Sequence, residues 1–154
     1  MSPYIANSVL DSAVALLLVE TEKRRNAMTI SCFSEVAHFP AAIWVSVAKS
    51  SFTHELLQQT RRFSLAVLTQ KQKALAIRCA STSGRDSDKC KGLDFYRSEG
   101  GFLFLNDSLA STGLMIREST AVGDHSLFVA DIVESHFSAR ASRYRHLLIS
   151  DLNN

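Results

Sequence analysis

Apolar residues along this chain come in short runs broken by polar turns, and most of the runs have strand character. Residues 13–19 (AVALLLV) are an uninterrupted apolar stretch that reads as a buried strand. Residues 22–25 (EKRR) are the turn that follows it. Residues 27–33 (AMTISCF) alternate in character, as a strand half-buried on a sheet does. The triplet His38-Phe39-Pro40 reads as a loop, because proline cannot donate to a ladder. Residues 42–47, β-branched and aromatic, give a third strand, and residues 62–68 a fourth. Strand character returns at 102–105, 109–116 and 126–133, with Gly123-Asp124 as the turn before the last of these; residues 147–149 read as a terminal strand.

Two segments have helical spacing instead. Ser51 is placed to cap a helix over 52–59, with Phe52, Leu56 and Gln59 on adjacent turns. Residues 71–79 (KQKALAIRC) are good helix formers, with Leu75 and Cys79 four apart. The stretch 81–89 is polar, without a hydrophobic period. Most connections are too short for parallel crossovers, so the pairing is expected to be antiparallel. The fold expected is mainly β, a six- to seven-stranded Greek-key barrel with two or three short helices. No repeat, linker or low-complexity tract divides the chain, so residues 1–154 are expected to form one domain.

Composition narrows the function. An apolar fraction of 46% argues against disorder, and 17 basic against 15 acidic residues leave a net charge of +2, too little to coat nucleic acid by bulk electrostatics. The three cysteines, Cys32, Cys79 and Cys90, lack CxxC spacing and cannot all pair, so free thiols in a reducing, cytoplasmic setting are expected. The early apolar run is too short to span a bilayer and has neither the basic start nor the small-residue end of a signal peptide, so no membrane association is expected. The five histidines show no metal-ligand spacing, and no metal is expected.

Three places offer chemistry. Lys49-Ser50-Ser51-Phe52-Thr53-His54 lies between a strand and a helix start, where free backbone N–H groups and small hydroxyls favour an anion such as phosphate; simple capping is the structural alternative. The loop Ser83-Gly84-Arg85-Asp86-Ser87-Asp88-Lys89 has cations to close over a phosphate, or is a solvated loop. His125, after Gly123-Asp124, is placed to donate to a ligand or move a proton, or to order a turn. Dinucleotide, P-loop, zincin and serine-hydrolase signatures are absent from the sequence.

Taken in order, Asn26-Ala27-Met28-Thr29-Ile30-Ser31, then residues 47–56, then the 83–89 loop, then Gly123-Asp124-His125-Ser126-Leu127-Phe128 resemble the flavin reductase-like family of FMN-binding split barrels, to which flavoredoxin belongs. The likeness runs from about residue 14 to 133. It implies an FMN-binding split barrel, a homodimer with flavin near the subunit interface, and NAD(P)H as co-substrate, with electrons passed to a protein partner or other acceptor. Carried over by position, Asn26, Ala27, Met28, Thr29, Ser31 and Cys32 would line the ring. Lys49, Ser50, Ser51 and Thr53 would cradle the phosphate, Lys89 would reach it from the loop, and His125 would sit beside the ring as the catalytic residue. Many relatives carry Trp where this chain has Cys32-Phe33, which leaves Phe33 as the aromatic nearest that place. Beyond Val133 the match is poor, and Tyr144 is the aromatic available there. The implied activity is NAD(P)H-dependent flavin reduction. The alternatives are an electron-transfer flavoprotein and a flavin-less dimeric interaction module.

Overall fold

The structure, a computed structural model, describes residues 10–152. Seven strands form one antiparallel sheet: β1 (Ala15–Glu20), β2 (Arg25–Ile30), β3 (Phe33–His38), β4 (Ala41–Ala48), β5 (Arg62–Val67), β8 (Ala110–Val122) and β9 (His125–Phe137). Between β5 and β8, β6 (Phe95–Arg97) and β7 (Leu103–Leu105) make a small separate hairpin. Among the described residues the helices are α1 (Phe52–Leu57), α2 (Lys73–Ser81) and α3 (Ile149–Leu152). The strand order is β2-β1-β5-β8-β9-β4-β3. The two outer strands are therefore consecutive in the chain, joined only by Ser31 and Cys32. The Ser46 amide donates to the Cys32 carbonyl at 2.9 Å, which ties that corner to β4. A sheet whose edges meet in this way is a split barrel.

Strand β1 explains its own sequence. Alternate side chains of a strand face opposite ways. Leu17 and Val19 face the barrel core with Val45, Phe63, Leu114 and Phe128. Leu16 and Leu18 face an outer core with Ala66, Leu68, Ala76, Leu103 and Leu147. That outer layer is α2, the β6–β7 hairpin and the C-terminal segment laid over the sheet, so the strand is apolar at every position from Ala15 to Val19. Strands β8 and β9, of 13 residues each, form a ribbon closed by a two-residue turn at Gly123-Asp124; Val122 pairs with His125 across it. Gly123 has φ +58°, as such a tight turn requires.

Four sequence expectations change. Residues 27–33 are not one strand: β2 stops at Ile30 and β3 starts at Phe33, because the chain turns the barrel corner between them. His38, expected in a loop, ends β3 and pairs with Ala41, so the turn is Phe39-Pro40. The expected terminal strand at 147–149 makes only single bridges, Ala13 to Leu148 and Thr69 to His146, before α3 begins. Both expected helices change: α1 stops at Leu57 instead of reaching residue 59, and residues 70–72 are a 3₁₀ turn, so that α2 runs Lys73–Ser81.

Candidate functional site at the barrel end

The site grows from the connection between β4 and α1. Ser51 caps the helix: its hydroxyl accepts from the His54 amide at 3.1 Å and donates to the Ala48 carbonyl at 2.8 Å. Thr53, in the first turn, is buried, and its hydroxyl accepts from the Asn26 carboxamide nitrogen at 2.9 Å. Asn26 is itself buried on β2, and its carbonyl oxygen, sealed from solvent, has no hydrogen-bond donor. Gly84 lies against that carboxamide. A Cβ there would collide with it and come within 2.8 Å of the Phe52 ring, so the close approach requires glycine.

Two guanidinium groups fasten the loop to the helix. Arg24 donates to the Gly84 carbonyl at 3.0 Å and lies 4.7 Å from the centre of the Phe52 ring. Arg85 lies 5.6 Å from the same ring, pairs with Glu55 at 3.1 Å and reaches the Ser50 carbonyl at 3.4 Å. The β8–β9 turn closes the other flank. The Lys49 amide donates to the Asp124 carbonyl at 2.9 Å, and His125 pairs with Ala48 across the sheet. His125 Nδ1 sits 2.8 Å from the Asp124 carboxylate, and that contact holds Asp124 below the usual carboxylate range. His54 Nε2 meets the Ser126 hydroxyl at 2.8 Å, and its ring is edge-on to Phe128. Burial, helped by the nearby Lys49 charge, lowers the His54 pKa.

The folded chain thus brings Asn26, Lys49, Ser50, Ser51, Thr53 and His125 to one end of the barrel. It divides the remaining residues of the β2 motif by strand parity. Met28 packs on the barrel core, whereas Ala27 is buried in the outer core and the Thr29 hydroxyl donates to the Ala76 carbonyl of α2 at 2.6 Å. Ser31 and Cys32 occupy the corner beside Ser46, with Cys32 exposed. Lys89 is buried, and its ammonium donates to the Cys79 carbonyl in the last turn of α2 at 2.8 Å. The loop cation at the start of α1 is therefore Arg85. Arg24, in the β1–β2 turn, went unnoticed in the sequence because nothing local marks a contact sixty residues away. Period-2 alternation was the signal that separates Asn26 and Met28 from Ala27 and Thr29.

As donors, the surface groups are the Ser50 hydroxyl, the Lys49 ammonium and the Arg85 guanidinium, while the His54 amide of the first turn of α1 is already taken by the Ser51 cap. Such a set suits an anion. The Asn26 carbonyl oxygen, packed beneath Gly84, is a buried acceptor without a donor.

The flavin reductase like domain model matches residues 8–149. The chain is 30% identical over 128 residues to the NADH-dependent flavin reductase StyB of Pseudomonas fluorescens, covering 82% of this chain and 72% of that protein. It is 29% identical over 114 residues to the high molecular weight rubredoxin of Moorella thermoacetica, covering 73% of this chain and only 50% of that protein, so it spans about half the length of that relative. Among solved structures, the FMN-binding protein of Thermus thermophilus with bound p-hydroxybenzaldehyde superposes with a TM-score of 0.86 at 28% identity, over 96% of this chain and 86% of that one. A barrel with this strand order, four motifs gathered at one end, and these relatives lead to one conclusion: the chain belongs to the flavin reductase-like domain family.

Proposed function

We propose that this chain is an NAD(P)H-dependent flavin reductase that binds FMN and passes its electrons to a partner or acceptor. The observation that carries the reading is the meeting of the β2, β4–α1, 83–89 and β8–β9 motifs at the barrel end, in a chain of this family. Bound flavin would supply the hydride-accepting chemistry, and the protein supplies position and electrostatics. Lys49, Ser50 and Arg85 would hold the phosphate; they are the exposed donors at the start of α1. Asn26 would offer its unpartnered carbonyl oxygen to a ring N–H. The Asp124 carboxylate orients the His125 ring, whose Nε2 is then free to face a ligand. Ser31, Cys32 and Met28 would border the ring, and Ala27 and Thr29 would hold β2 beneath α2. Lys89 would act through the C-terminal turn of α2.

A homodimer in which a second copy completes the site is part of this reading. The edge strand β3, the turn after it and the ribbon tip carry Val36, Phe39 and Val122 respectively, all well exposed. We read residues 1–154 as one domain of a cytoplasmic protein; among the described residues no helix is long and apolar enough to cross a membrane. The test is anaerobic reduction of FMN by NADH or NADPH with the purified protein, alongside FMN binding by fluorescence quenching. Catalytic oxidation of nicotinamide supports the reductase. A second reading, an electron-carrying flavoprotein, is favoured by the likeness to the Moorella rubredoxin; tight FMN binding without nicotinamide oxidation selects it. Absence of flavin binding overturns both.

A further inference from the structure

The outer layer holds a pocket that the flavin reading leaves unused. It lies between the start of α2, the turn after Cys90, the β7–β8 turn and the 3₁₀ turn Ala141–Arg143, with a volume of about 410 Å³. That is within the range of about 300–1,000 Å³ typical of small-molecule sites. Leu75, Leu93, Leu105 and Ala141 give it an apolar lining, and Tyr144 adds an aromatic wall. Two turns that wall it pass through left-handed backbone, at Gly92 (φ +83°) and Asp107 (φ +63°).

The charges at its mouth are unevenly matched. Asp94 accepts from the Asn106 carboxamide at 3.0 Å, and Asp107 faces Arg140 at 3.9 Å. Lys71 and Arg78 also line the pocket, and among the described residues neither has a carboxylate within ion-pair distance. The Lys71 ammonium lies 4.3 Å from the centre of the Tyr144 ring instead. Arg78 makes a long bond, 3.4 Å, to the Lys89 carbonyl and lies beside the Cys79 thiol. The rim thus carries three cations, Lys71, Arg78 and Arg140, against two carboxylates, Asp94 and Asp107, and an apolar, part-aromatic cavity with that excess of positive charge suits an organic anion.

We infer that this pocket is a second ligand site, separate from the flavin site, for a small organic anion with an aromatic or apolar body: the body rests on Leu75, Leu105 and Tyr144, and the anionic group meets Lys71 and Arg78. The residues that build it share nothing with the barrel-end cluster, so the inference stands whether or not the chain reduces flavin.

Two fluorescent probes test it on the intact protein. Anilinonaphthalene sulfonate carries the anion, and N-phenylnaphthylamine has a similar body without it. Saturable one-to-one binding of the sulfonate is expected. Lys71→Ala and Arg78→Ala should each weaken the sulfonate about tenfold and leave the neutral probe nearly unchanged, as loss of a charge-assisted bond does. Leu75→Trp should fill the cavity and reduce both, and FMN should displace neither. Equal sulfonate affinity in the wild type and both charge variants overturns the inference. So does displacement by FMN, which puts the probe in the flavin site, or no binding at millimolar probe. The two surface variants keep the test decisive if Leu75→Trp fails to fold.

Discussion

Single side chains at the barrel end serve the fold and the chemistry in different proportions. The Thr53 hydroxyl faces Asn26 in a buried bond, so it acts on stability before it acts on ligand. Thr53→Val leaves the Asn26 amide without an acceptor and should cost about 1–3 kcal/mol. A thermal melt should drop by roughly 2–4 °C per kcal/mol for a chain of this size. Ser50→Ala should leave the melt near wild type and weaken FMN more than riboflavin, read by fluorescence quenching. His54 gives a pH signature. Burial lowers its pKa in the folded state, so protonation favours the unfolded chain. The protein should therefore lose stability as pH falls below the ordinary histidine value of 6.5, and none of that loss should remain above it. His54→Gln should flatten this part of the profile in melts between about pH 5 and 8. The thiols also differ. Burial pushes the Cys90 thiol up to about 12 and raises Cys79, whereas Cys32 is exposed. A thiol reagent at neutral pH should titrate one cysteine quickly and the other two only after denaturation.

Elements show where the sequence could be read and where it could not. The runs at β1, β4 and β5 were legible because burial on one or both faces leaves a hydrophobic record. The break between β2 and β3 was not. The corner at Ser31-Cys32 changes the strand's partner without interrupting its alternation, and local pattern carries no information about partners. Strand β3 is mostly exposed, with Ser34, Glu35 and His38 along it, so only its pairing to β4 reveals it. Strand β6 has three residues and no burial period. The site was legible as motifs in order. The direction of each side chain was not, because Lys89 and Thr29 find partners on α2, an element their own segments do not specify. The loop at Gly84 has a test at this scale. Gly84→Ala places a methyl group into the Asn26 carboxamide and the Phe52 ring, so the loop must lift. Arg85 should then lose its contact to the start of α1, with weaker FMN binding and a lower melt, read together by titration and calorimetry.

At the scale of the molecule, α1 and the 83–89 loop gather at the barrel end, while α2, the β6–β7 hairpin and the C-terminal segment cover the outside of β1, β2 and β5. Light scattering should give a dimer if the exposed residues of β3 and the ribbon tip are an interface between copies, and Phe39→Asp, at a side chain 99% exposed, should shift it toward monomer without lowering the melt of the barrel itself. The placement of β1 has a consequence for how the molecule comes apart. Ala15, Leu17 and Val19 belong to one core and Leu16 and Leu18 to the other, and the backbone of the strand is bonded to β2 on one side and β5 on the other. Neither layer can open fully while this strand stays put, and the strand cannot leave without dissolving both. Amide hydrogens of residues 16–18 should therefore exchange with deuterium only through global unfolding, as the slowest class in the chain, while those of β3 and the ribbon tip exchange through local opening. Slow exchange in β1 that follows the denaturant dependence of the whole protein would mark it as the axle on which the two halves of the fold are mounted.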